Sequence, residues 1–183
     1  EPESDDRRAD TTDREIHMSA SSSDAAFPAA RPRRLRRGSA MRRLVSETAV
    51  RPENLILPMF VKEGLTEPVA ISSMPGQVQH TRDSLRKAAA EAAEAGVGGL
   101  MLFGIPEHKD DTGTQADDPN GVVQEALRDL SSEVGDDIVV MADLCLCEYT
   151  DHGHCGPLQI DGHVDNDLTL ERYAAIALSL IHI

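Results

Sequence analysis

The sequence predicts an α/β fold built on a parallel sheet, and three observations carry that expectation. Short β-branched apolar runs alternate with helical stretches, the run Val97 to Ile105 is apolar throughout, and a cluster of reactive side chains follows directly on a strand. Taken in order, Leu55 to Val61 reads as the first strand, and Glu67 to Ile71 as a short extended segment before the turn at Pro75-Gly76. Thr81 is placed to cap a helix, Asp83 complements its amino-terminal dipole, Leu85 to Ala95 is rich in alanine, and Gly96 closes it. Val97 to Ile105 is the second strand, its uniform apolarity expected of burial on both faces. Asn120 is placed to cap a helix through about Glu133, and Ile138 to Leu144 forms the third strand. Val164-Asp165-Asn166-Asp167 caps a last helix over Leu168 to Leu178. Strand and helix in alternation imply parallel pairing with right-handed crossovers.

All three cysteines of the chain, Cys145, Cys147 and Cys155, lie in the segment Asp143 to Gly156 after the third strand. Soft thiolates converging on one point suit Zn²⁺, and three of them leave a fourth position open, as catalytic zinc requires. Gly153 and Gly156 permit the tight turns that would fold Cys155 back toward the other two. Other readings stay open: Cys-x-Cys as small buried apolar residues or oxidisable thiols, or His152 and His154 as members of a closed four-ligand site. Reactive groups in α/β proteins gather at the carboxyl ends of strands, where this cluster falls. The acidic loop Lys109 to Asp118 follows the second strand and faces the same way. Its spacing does not match an EF-hand, so a solvated surface is the preferred reading. No glycine-rich phosphate loop, nucleophile elbow or internal repeat is evident.

The chain of 183 residues carries a net charge of −14 with 40% apolar residues, and no apolar run approaches a membrane span or a secretory h-region. Cysteines kept for metal suit a reducing cytoplasm. Residues 1–24 sum to −5 and residues 31–43, with seven arginines and no acid, to +7, which leaves −16 on residues 44–183. A basic arm beside an acidic body favours docking on another copy of that body over nucleic acid or an anionic membrane.

The stretch Asp143 to Gly156 closely resembles the zinc loop of the porphobilinogen synthase family, also called 5-aminolaevulinate (delta-aminolevulinic acid) dehydratase. Arg31 to Arg37 is similar to its amino-terminal arm, Asn54 to Val61 to its first barrel strand, and Ser73-Met74-Pro75-Gly76, Leu102 to Pro106 with Lys109-Asp110, and Val164 to Asp167 to further segments in the same order. The resemblance runs from about Arg31 to Ser179. It implies the N-terminal half of a TIM (β/α)8 barrel behind an extended basic arm, because such barrels need about 250 residues. The expected organisation is a non-native or disordered leader over 1–30, the arm over 31–53, the partial barrel over 54–179 and a non-native tail over 180–183, with residues 1–17 read-through from upstream.

The resemblance also implies a chemistry: asymmetric condensation of two 5-aminolevulinate molecules to porphobilinogen with loss of two waters, in the synthesis of haem and other tetrapyrroles. In that chemistry lysine holds substrate as an imine while zinc polarises a carbonyl or a bound water. Cys145, Cys147 and Cys155 carry over as zinc ligands of the zinc-dependent bacterial type, with an additional Mg²⁺ possible at a site outside this chain. Asp143 matches an active-site aspartate that would orient an amine or a zinc-bound water, or else is a strand-end carboxylate bonded to loop amides. The two catalytic lysines of the family lie on later strands, and none of Lys62, Lys87 and Lys109 matches them. The expectation is a cytoplasmic homo-oligomer, an octamer for the full-length protein, contacting neighbours through the arm, with the 183-residue chain inactive alone. The competing reading is a noncatalytic zinc-binding or assembly module made of half a barrel.

Overall fold

A computed structural model describes residues 30–181 and 183. The chain divides into two units at Ala49 and Val50. In the first unit Pro32–Arg36 is a 3-10 turn with proline at its start, followed by the six-residue helix α1, Ser39–Leu44. None of the residues described in this unit is buried, and its arginines present their charge to solvent, Arg42 also donating to the Arg36 carbonyl at 3.3 Å. The leader expected over 1–30 lies, but for Ala30, outside the described residues.

The second unit holds strands β1 (Ile56–Lys62), β2 (Val69–Ala70) and β3 (Val78–His80), helix α2 (Arg82–Glu94), strand β4 (Gly99–Ile105), helix α3 (Val122–Val134), strand β5 (Val139–Ala142) and helix α4 (Asn166–Leu180). The sheet order is β2-β3-β1-β4-β5. β1 pairs with β4 in parallel from Ile56 opposite Gly99 to Lys62 opposite Ile105, β5 continues the sheet with Val139 opposite Gly99, and only β2 runs antiparallel. The predicted caps explain two helices. The Thr81 hydroxyl accepts from Ser84 N–H at 3.1 Å, and Gly96 ends the turn at φ 78°. Asp165 accepts from the N–H groups of Asp167 and Leu168 and opens α4. Gly121, not Asn120, is the N-cap of α3, because Asn120 is drawn into a turn in which its N–H bonds to Asp118.

Leu85, Ala89 and Ala92 of α2 and Val123, Ala126 and Leu130 of α3 are buried in one core with Met59, Val61, Leu100 and Leu102 of the sheet. Gly104 lets α3 approach, since a Cβ there would stand 2.1 Å from the Val123 side chain. The alternate strand positions, Phe60, Lys62, Met101, Phe103 and Ile105, are only partly buried, with Phe60 and Phe103 stacked at 5.2 Å. Val97 to Ile105 is therefore not covered on both faces as its composition suggests: residues of α2 and α3 cover one side. Helices on one face of a parallel sheet mark a barrel segment, whereas a doubly wound sheet carries them on both.

Candidate metal centre

The cysteine loop begins where β5 ends. Asp143 N–H still bonds to the Leu102 carbonyl at 3.0 Å, carrying the ladder one residue past the strand. The chain then wraps around fully buried Leu146, whose carbonyl accepts from both Tyr149 and Thr150 N–H at 2.9 Å. This turn brings the predicted residues together. The Sγ atoms of half-buried Cys145 and Cys147 and exposed Cys155 all lie within 4.8 Å of one another, the first two 3.4 Å apart, and none is in a disulfide. Sulfurs bound at about 2.3 Å to a shared tetrahedral zinc stand about 3.8 Å apart, so the donor set fits one ion.

Two carboxylates crowd the same point. Asp143, Cys145 and Glu148 form a second group within 4.8 Å, and Glu148 Oε2 accepts from Cys147 Sγ at 2.9 Å. Burial, followed by the hydrogen bond to Glu148, pushes the Cys147 thiol up, and a hydrogen bond with Cys145 is the main cause that raises Cys155. Burial and then the Glu148 charge lift Asp143 above the usual carboxylate range, although the Cys145 and Leu144 amides bond to it. Asp143 therefore is bonded to loop amides and also faces the donor group. Without a cation Cys147 and Cys155 hold their protons more tightly than free thiols, and a divalent ion inverts that preference.

The histidines are engaged elsewhere. His152 Nδ1 accepts from His154 N–H at 3.1 Å, which leaves its Nε2–H to donate to the Asp111 carbonyl at 3.1 Å. Among the described residues, no histidine nitrogen joins the three sulfurs. Of the lysines, Lys87 and Lys109 are exposed, and Lys62 lines a cavity with the first residues of α2 and α3.

The acidic loop is more ordered than a solvated surface. The Asp110 carboxylate accepts from Thr112 and Thr114 N–H, each at 3.0 Å, and from both hydroxyls. Burial opposes its ionisation, but these bonds outweigh it and hold the carboxyl at about 2. Asp110 bridges to Thr150 of the cysteine loop in parallel fashion. Gly113, at φ 64°, packs so closely that a Cβ would stand 2.7 Å from Leu146. The Asp-x-Thr-Gly-Thr spacing was a legible turn signal for this knot.

The family model described as delta-aminolevulinic acid dehydratase matches residues 29–182. The chain belongs to that family. It is 63% identical over 153 residues to the delta-aminolevulinic acid dehydratase of Streptomyces coelicolor, covering 82% of this chain and 46% of the relative. With the Mycobacterium tuberculosis dehydratase it shares 57% identity over 157 residues, 85% of this chain and 48% of that one. The chain thus spans about half the length of the curated relatives it matches. The crystal structure of the Toxoplasma gondii dehydratase in complex with the reaction product porphobilinogen superposes with a TM-score of 0.78 at 35% identity, over 83% of this chain and 44% of that chain. The expected family and the partial (β/α)8 barrel are both borne out.

Proposed function

We propose that this chain carries the thiolate half of the active centre of a zinc-dependent porphobilinogen synthase, which condenses two 5-aminolevulinate molecules to porphobilinogen with loss of two waters. The observation that carries the reading is the convergence of Cys145, Cys147 and Cys155 at the carboxyl end of β5 in a chain of the dehydratase family. These three residues would hold Zn²⁺, which when bound supplies Lewis acidity toward a substrate carbonyl. Three sulfur donors favour zinc over magnesium, which takes oxygen ligands. Asp143, whose carboxylate groups with Cys145 and Glu148, would orient a substrate amine or a zinc-bound water. The product held by the Toxoplasma relative supports the substrate class. None of Lys62, Lys87 and Lys109 matches the imine-forming lysines of the family, so imine formation is assigned to no residue of this chain. Unpaired thiols fit a reducing cytoplasm, and the arginine-rich arm fits docking on an acidic neighbour in a homo-oligomer, octameric for the full-length protein. Among the described residues no helix is long and apolar enough to cross a membrane.

Zinc analysis of the purified chain tests the site: about one ion per chain is expected. Loss of zinc is expected in each of Cys145→Ser, Cys147→Ser and Cys155→Ser, and unchanged content in all three would remove the ligand assignment. Pyrrole formation from 5-aminolevulinate is expected to be absent, and turnover would force one of the three lysines into the chemistry. The half-exposed apolar face of β1 and β4 favours a second reading, a noncatalytic zinc-binding or assembly module. A zinc-loaded monomer stable in solution would support that module.

A further inference from the structure

The three sulfurs are not held alike. Cys145 and Cys147 sit on the turn around Leu146, anchored to the strand exit, whereas Cys155 is exposed and eight positions further along the loop. What holds Cys155 comes from α4. Tyr173 Oη–H donates to the Cys155 carbonyl at 2.8 Å. Buried Thr169 packs against the next residue, where a Cβ on Gly156 would stand 2.0 Å from its Oγ1. Arg172, between them on the same helix face, reaches the acidic loop: its fork meets Asp117 at 2.7 and 3.2 Å, and Nη2 and Nε donate to the carbonyls of Gly113 and Thr112 at 3.0 and 3.2 Å. That loop in turn grips the far side of the cysteine loop. Gly113 packs on Leu146 and Tyr149, Asp111 accepts from His152, and Thr150, paired with Asp110, donates to the His154 carbonyl at 2.8 Å.

From this arrangement we infer that Thr169, Arg172 and Tyr173 of α4 form a clamp that positions Cys155, so that the third sulfur of the site depends on α4 and the acidic loop. The inference rests on the zinc reading above. Arg172 and Tyr173 are positioning residues, since neither needs to touch the ion. Outer partners of this kind typically carry about 10–100-fold in metal affinity. A carbonyl fixed from outside also removes the loop's freedom to swing its thiol away, an entropy that the metal would otherwise have to offset.

The test uses the full chain loaded with zinc or cobalt. Arg172→Met is expected to weaken zinc about 10–100-fold and to lower the thiolate-to-cobalt charge-transfer absorbance per bound ion to that of Cys155→Ser. Tyr173→Phe, which removes one hydroxyl and leaves the helix intact, should move both readouts the same way by less. Arg172→Lys, able to pair with Asp117 but not to fork onto two carbonyls, should fall between. A purely structural role would reduce the folded fraction without changing absorbance per bound ion. The clamp is overturned if Arg172→Met and Tyr173→Phe keep the parent's affinity and band while Cys155→Ser loses them. A parent protein with no thiolate band overturns the zinc reading itself, and the clamp with it.

Discussion

Two loops leave neighbouring strands at the same end of the sheet, and their carboxylates respond in opposite directions. In the loop after β4, Asp110 is met by the amides and hydroxyls of Thr112 and Thr114, and its carboxyl falls to about 2. In the loop after β5, Asp143 lies with Glu148 and three thiols, and its carboxyl rises. In the first loop the carboxylate is met by donors of its own loop. The other gathers carboxylates and thiols whose proximity raises Asp143, Cys147 and Cys155 together, a donor set that suits a cation.

The contrast breaks most sharply at the sulfurs. Dialysis against a chelator is expected to strip zinc from Cys145→Ser or Cys147→Ser and to leave it on the parent, with metal content measured by atomic absorption. Next, Gly113→Ala should cost about 1–3 kcal/mol in urea unfolding, because the position combines a left-handed backbone with contact to Leu146. Asp110→Ala should cost roughly 1–2 kcal/mol through its lost amide bonds. The lowered carboxyl fixes the sign of its pH dependence: the contribution is complete above the ordinary 3.8 and is lost as pH falls through about 2. Parent and variant should therefore converge in strongly acidic solution. The smallest effect belongs to Asp143→Asn. A raised carboxyl favours the folded state only when protonated, and that advantage is gone above its folded value. The variant should unfold slightly later than the parent at neutral pH without metal, and lose the advantage once zinc is present.

How much of this was legible depends on the range of the interactions involved. Thr81 and Asp165 cap helices through amides two or three residues away, so their roles follow from neighbouring residues alone. Asn120 was the exception, because a local turn claimed it before the helix began. Strand β3 spans only Val78–His80, too short for an apolar rhythm, and it exists because β1 offers a free edge. Apolar residues at every position of Gly99–Ile105 could not reveal which face the helices of this chain would cover.

The helix caps and the alternation of strand and helix were determined by the sequence itself, since each rests on spacing or on contacts within one turn of chain, and the clustering of three cysteines along the chain was legible there too. Tertiary structure alone decided that His152 spends both ring nitrogens on backbone groups and that Arg172 reaches a loop 55 to 60 residues away. Those outcomes depend on which groups meet across the fold and on how much water remains between them, and neither quantity is written in local order.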